Sequence, residues 1–227
     1  GTDFPEYYKR FPGLVIGSTI DKYCYVSARF LPNVFKYKHR IVWSKNEVVK
    51  SNNQIIHPTV KAVFKYLKIN QGLEIHYQGD LQKNSGLGTS SAFCVGLINS
   101  LKRLYNKGIS KEILAKTAMN IEHNVMKEKC GSQDQIWAAY GGFNSIEFRR
   151  KSFKVKKLGI NKSKLSNLSK NLFLIYTGIN KFSHNVEKDK ILKLHKNLDY
   201  LEKIYELAKS FKYEIQNNSN DDFIGTI

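Results

Sequence analysis

Two segments of the chain hold residues whose types and spacing could do chemistry. The first is Gly79–Ser91, GDLQKNSGLGTSS. Gly86 and Gly88 carry no Cβ, so the backbone there can close on a ligand. The loop runs into an uncharged stretch, Ala92–Leu101, that reads as a buried helix. The unpaired amides and dipole at such a helix start favour an anion. Thr89, Ser90 and Ser91 add hydroxyls able to reach phosphate oxygens or a magnesium ion. No Gly-Lys-Ser/Thr closes the loop, which excludes a P-loop, and no third glycine completes a dinucleotide fingerprint. Glycines, hydroxyls and helix together point to phosphate binding; on spacing alone, a serine-capped turn accounts for the loop equally well.

The second segment is Ile121–Gln135, IEHNVMKEKCGSQDQ. At 100° per residue Glu122 falls about 60–100° from the centre of its helix's apolar stripe, which predicts a half-buried carboxylate at the edge of a cleft. Asp134 follows twelve residues later, beyond a Cys130-Gly131 turn. Magnesium-dependent phosphoryl transfer needs a hard oxygen ligand and a group to handle the acceptor's proton, roles two acids could divide. Taken singly, each acid reads as a solvated surface group. His123 has no second histidine at helical spacing, so zinc is not indicated, and neither it nor His184 completes a catalytic triad.

The elements that must position these residues are legible as periodicities. Gly13–Phe30 reads as β structure, with Ile16, Ile20, Cys24 and Val26 on one parity and Tyr23 and Tyr25 on the other. Further strands are expected at Arg40–Ser44, Glu47–Val49 and Leu73–Gly79, then at Gly142–Arg149 and Phe153–Leu158. Helices are expected over His57–Lys68, from Ala92 to Tyr105, and after Ser110, an apt N-cap for the stripe Leu114, Ala118, Ile121 and Val125. The polar Asn161–Lys170 segment reads as a boundary, followed by a strand at Leu172–Tyr176. A long helix then carries Ile191, Leu194, Leu198, Leu201, Tyr205 and Ala208, read as core packing. Strands and helices without a strict βαβ rhythm indicate an α+β fold.

The chain has 227 residues and a formal net charge of +18. Its composition is that of a globular protein, and its length suits one large domain or two small ones. No apolar run reaches the roughly 18–20 residues of a membrane span. Three cysteines, Cys24, Cys94 and Cys130, show no paired spacing, which fits a reducing, cytoplasmic setting. The charge invites a nucleic-acid reading, but 31 of the 37 basic residues are Lys and only 6 are Arg. Bases and phosphates are gripped chiefly by Arg forks. With 20 Asn and lysines spread from Lys9 to Lys212, the bias is one of composition, and nucleic acid is not an expected partner.

GLGTSS, preceded by GDLQKNS, resembles the Pro-x-x-x-Gly-Leu-Gly-Ser-Ser motif of the GHMP small-molecule kinases. GTDFPEYY at residues 1–8 resembles the end of a Gly-Gly-Gly-Thr-Asp segment in the sugar-1-kinase branch, and EH followed by CGSQDQ resembles the Glu–Asp pair of galactokinases. GTDFPEYY, STIDKYCYVS, CGSQDQ and AAYGGFN are together most similar to the heptose 7-phosphate kinase branch. The resemblance runs along essentially the whole chain. It implies a ribosomal-protein-S5-domain-2-like N-terminal half (residues 1–165) and a ferredoxin-like C-terminal half (from 166). It also implies ATP and Mg2+ as cofactors and transfer of the γ-phosphoryl group to the anomeric hydroxyl of D-glycero-D-manno-heptose 7-phosphate, on the way to a nucleotide-activated heptose for surface glycans. Gly86, Leu87, Gly88, Thr89, Ser90 and Ser91 would wrap the ATP phosphates, Ser90 and Glu122 would hold magnesium, Asp134 would be the catalytic residue that orients or deprotonates the sugar hydroxyl, and Thr2 and Asp3 would bind the sugar. Gln82 stands where the family has Pro, and Thr89 where it has the first Ser. The resemblance further implies a strand before residue 1 and a Gly-rich motif after residue 227, so the chain is expected to be the middle of a longer kinase. Lys83 and Lys181 are the candidates for gripping the 7-phosphate.

Overall fold

The computed structural model describes residues 2–82, 85–150, 152–175 and 194–217. Lys83, Tyr176, Lys181, His184 and Ile191 lie outside these ranges. A short helix α1 (Pro5–Tyr8) opens the described chain. Seven strands follow in two sheets: β1 (Gly13–Ser18), β2 (Cys24–Phe30), β3 (His39–Val42), β4 (Asn46–Val49), β5 (Leu73–Gly79), β6 (Phe143–Arg149) and β7 (Ser152–Lys157). The helices are α2 (Pro58–Leu67), α3 (Thr89–Leu104), α4 (Lys111–Asn120), α5 (Gln133–Tyr140), α6 (Lys162–Lys170) and α7 (Leu198–Asn217). Mixed strands and helices make the expected α+β architecture.

The four-stranded sheet runs β2-β5-β3-β4, with β5 and β3 parallel and the outer pairs antiparallel. Its inward positions, among them Ile41, Leu73 and Ile75, pack against Val60, Val63 and Phe64 of α2 and Leu97, Ile98 and Leu101 of α3. Each such fully buried side chain contributes about 1.5–3 kcal/mol relative to exposure. The three-stranded antiparallel sheet β1-β6-β7 buries Ile146 and Phe148 against Ala115 of α4 and Ile136 of α5. The helices α3, α4 and α5 also contact one another. The N-terminus of α3, the end of α4 and the start of α5 are thereby brought together.

Several expected elements differ in instructive ways. The β structure over Gly13–Phe30 is two strands in different sheets, and Ile20, in the connection between them, is exposed. Asn161–Lys170 is a helix rather than an irregular boundary. Asn161 accepts from Lys164 N–H at 2.7 Å as its N-cap, so the cap supplies the signal that the missing apolar stripe does not. Leu172–Ile175 forms no strand, and all four side chains are exposed. The final helix begins at Leu198, after a 3-10 turn over Leu194–Asn197, and its Leu198 and Leu201 pack with Leu194 on Phe4 and Tyr7. Among the described residues no helix is long and apolar enough to cross a membrane.

The segment before β1 is fastened by one side chain. The Thr2 hydroxyl donates to Leu14 O and accepts from Leu14 N–H, both at 2.9 Å and both buried. Replacing Thr2 with Val leaves two buried backbone groups without partners, each costing about 1–3 kcal/mol. Urea unfolding should show Thr2→Val destabilised by roughly 2 kcal/mol or more and Thr2→Ser close to wild type. Equal stability of Thr2→Val and wild type would remove Thr2 from this role.

Candidate active site

The site is assembled from three stretches far apart in sequence: residues 2–8, the loop leading into α3, and residues 121–135. The loop turns through two glycines with positive φ, Gly86 at 77° and Gly88 at 69°. Gly88 is the N-cap of α3 and supplies no side-chain cap. The first amide to bond back into the helix is that of Ala92, to Gly88 O at 2.9 Å, so the amides of Thr89, Ser90 and Ser91 head the helix. A Cβ at Gly86 would meet nothing within 4 Å, whereas one at Gly88 would lie 3.1 Å from Asp134 Cγ. Thus one side of the loop is open, and Asp134 lies against the other.

Asp134 sits in the first turn of α5. Burial, reinforced by the nearby charge of Asp3, pushes its carboxyl up from the ordinary 3.8 to about 6. Asp3 is itself only 2% exposed and packs so closely on Gly131 that any Cβ at that position would overlap its Oδ2. Asp3 O accepts from Ser132 N–H at 3.0 Å, and Tyr8 and Ser132 share a hydroxyl–hydroxyl hydrogen bond of 3.0 Å. Tyr8 is braced in turn by stacking on Phe148, ring centroids 5.2 Å apart. These contacts pin the turn that precedes Asp134.

Glu122 lies deeper than its helical position predicts: it is 2% exposed rather than half-buried. It is the second residue of a π turn over Ile121–Val125 at the end of α4, in which Met126 N–H reaches Ile121 O at 2.8 Å; such turns occur frequently at functional sites. Glu122 Oε2 accepts from Ser91 Oγ at 2.9 Å and from Gln135 Nε2, with Cys130 Sγ at 3.9 Å. Burial pushes its carboxyl up from 4.5 to about 7, against the pull of those hydrogen bonds. Its other oxygen, Oε1, is buried and has no hydrogen-bond partner among the described residues. A bare, buried carboxylate oxygen suits a hard divalent cation, so the residues present fit magnesium.

The structure therefore brings together Gly88, Ser91, Glu122 and Asp134, with Asp3 beside Asp134. Ser90 is exposed on the first turn of α3 while Ser91 is buried, so the hydroxyl that meets Glu122 belongs to Ser91. The hydroxyl of Thr2 is committed to the Leu14 backbone. Gln135, Ser132 and Tyr8 were not singled out from sequence, although Gln135 and Ser132 lie inside the CGSQDQ motif and Tyr8 inside GTDFPEYY.

Residues 54–142 match the model of the GHMP kinases N terminal domain. With the two-sheet architecture and the loop over α3, the chain has the GHMP kinase fold. It is 28% identical over 240 residues to the D-glycero-alpha-D-manno-heptose 7-phosphate kinase of Campylobacter jejuni, covering 93% of this chain and 66% of that protein. It is 27% identical to the bifunctional fucokinase/GDP-fucose pyrophosphorylase of Arabidopsis thaliana, over 66% of this chain and 15% of that one. A crystal structure described as a D-glycero-D-manno-heptose 1-phosphate kinase from Bacteroides thetaiotaomicron superposes with a TM-score of 0.78 at 20% identity, over 95% of this chain and 68% of that chain. The chain thus spans just under two thirds of the first of these relatives and much less of the second.

A raised carboxyl stores a pH dependence of stability. Folded Glu122 holds its proton up to about pH 7 and the unfolded chain only to about 4.5, so between those values the folded state binds more protons and stability falls as pH rises. Asp134 acts in the same direction. His39 and His123, both lowered by burial, act in the opposite one. The contribution of Glu122 is isolated by difference: from about pH 4 to about pH 8, Glu122→Gln should gain on wild type by on the order of 3 kcal/mol. Paired denaturant melts read this, and a constant difference across the range would show that Glu122 titrates normally.

Proposed function

We propose that this chain contributes the nucleotide- and sugar-binding part of an ATP- and magnesium-dependent sugar-1-kinase, acting on D-glycero-D-manno-heptose 7-phosphate to give the 1,7-bisphosphate. The observation that carries the reading is Asp134 lying against Gly88: a raised carboxyl next to the anion-favouring start of α3. On this reading residues 1–165 form the N-terminal domain and residues from 166 begin the C-terminal one. The product would supply nucleotide-activated heptose for surface glycans, in the cytoplasm.

The amides at the head of α3 would hold the phosphates, with Thr89 and Ser90 adding hydroxyls from the first turn. Glu122 would hold the magnesium through its bare oxygen, together with Ser90. The ion, when bound, neutralises phosphate charge in the transition state. Asp134 would take the proton of the anomeric hydroxyl as the sugar oxygen bonds to the γ-phosphorus and the bond from that phosphorus to the β–γ bridging oxygen breaks, releasing ADP; a carboxyl pushed toward 6 is a better base near neutral pH than an ordinary aspartate. Asp3 would orient the sugar hydroxyls beside it. The 28% identity to a heptose 7-phosphate kinase supports heptose 7-phosphate as acceptor. The fucokinase relative keeps a second reading in view, the same transfer to a hexose such as fucose or galactose.

The test is ADP release with a panel of acceptors. Turnover should require both magnesium and heptose 7-phosphate, and Asp134→Asn should lower kcat by about 10²–10⁴-fold. Faster turnover of fucose or galactose would move the assignment to the hexose reading. An Asp134→Asn variant as fast as wild type would end the proposed role of Asp134. The wild-type rate should also fall as pH drops below about 6, as Asp134 takes up its proton.

A further inference from the structure

Three features of Glu122 bear on how it is used. Ser91 Oγ and Gln135 Nε2 donate to the same oxygen, Oε2, which the Cys130 thiol also faces at 3.9 Å. The opposite oxygen, Oε1, is buried without a hydrogen-bond partner among the described residues. The donors come from the two helices that frame the site, Ser91 from α3 and Gln135 from α5. A carboxylate held by one oxygen in this way cannot rotate freely about its terminal torsion, so the other oxygen has a fixed direction.

From this geometry we infer that Ser91 and Gln135 are positioning residues: together they clamp Glu122 by Oε2 so that Oε1 is presented to the divalent cation. The inference rests on the proposed function and deepens it. Neither residue touches the cation; each acts through Glu122. Outer hydrogen-bond partners of metal-ligating groups typically contribute 10–100-fold to metal affinity. The clamp also links the cation to catalysis, because Gln135 directly follows Asp134 on α5 and Ser91 lies three residues after Gly88, against which Asp134 packs. The serine that serves is Ser91, one position beyond the pair in the Gly-Leu-Gly-Ser-Ser pattern, because at that point in the first turn of α3 the side chain points inward and is buried.

The experiment measures binding and needs no turnover. A fluorescent, non-hydrolysable ATP analogue is titrated into the full chain at increasing magnesium, for wild type, Ser91→Ala, Gln135→Met and the hydroxyl-retaining Ser91→Thr. Wild type should bind the analogue more tightly as magnesium rises. Ser91→Ala and Gln135→Met should each need at least about tenfold more magnesium than wild type to reach half of the enhancement over their own metal-free binding. Ser91→Thr should stay near wild type, which separates a lost donor from a damaged helix start. If the donor-less variants need no more magnesium than wild type, the clamp is overturned while the kinase reading stands. If wild type binds no analogue, or binds it indifferently to magnesium, both are overturned.

Discussion

A carboxylate buried without a basic partner is the constraint on which the arrangement of this site depends. The same chain shows the alternative at Glu74, a buried acid on β5 that is held by Arg29, Arg40 and His76 and whose carboxyl is kept below the ordinary range, first by the His76 hydrogen bond. At Glu122 no basic side chain pairs with the carboxylate among the described residues; a hydroxyl, an amide and a thiol face it. Neutral donors recover only part of the cost of removing a charge from water. The remainder is expressed as a proton held to near neutrality, and a divalent cation could take that proton's place.

Everything that fixes Glu122 and Asp134 follows from bringing three distant segments to the seam between the two sheets. The four-stranded sheet sets the height of α3, the three-stranded sheet sets α4 and α5, and the contacts among these helices close the seam. Residues 2–8 then lock the turn before α5 through Asp3 O, Tyr8 and the close fit of Asp3 on Gly131. The hydroxyl of Thr2 ties this segment to β1 through the Leu14 backbone.

The elements flanking the site were legible in the sequence because their signals are local. The alternation of Leu73–Gly79, the uncharged run into Leu101 and the cap at Ser110 each depend on a few neighbouring residues, and each lies where its pattern puts it. The acid pair and the glycine loop were legible too, through residue type and spacing. What could not be read was depth and direction. The full burial of Glu122 depends on how the end of α4 sits against α3 and α5, which no local pattern shows. The pairing of Ser91 with Glu122 is a contact across 31 residues, and choosing between Ser90 and Ser91 required knowing which face of α3 meets the core. Asn161–Lys170 was missed for the opposite reason: its cap is local, but it lacks the apolar stripe by which a helix is usually found.

The overall charge and the local charge point in different directions, and the difference bears on mechanism. The chain carries +18, yet its candidate site gathers Asp3, Glu122 and Asp134 and raises the carboxyls of Glu122 and Asp134. On the proposed reading the acids and the head of α3, rather than surface lysines, define the ligand. A phosphate at that helix start would stand next to carboxylates of its own sign, an arrangement that is unfavourable unless positive charge lies between them. On the proposed reading, the cation is what makes nucleotide and carboxylates compatible. By linkage, each must then strengthen the binding of the other by the same factor. On that reading, the buried oxygen of Glu122, without a hydrogen-bond partner among the described residues, is the structural form of that dependence.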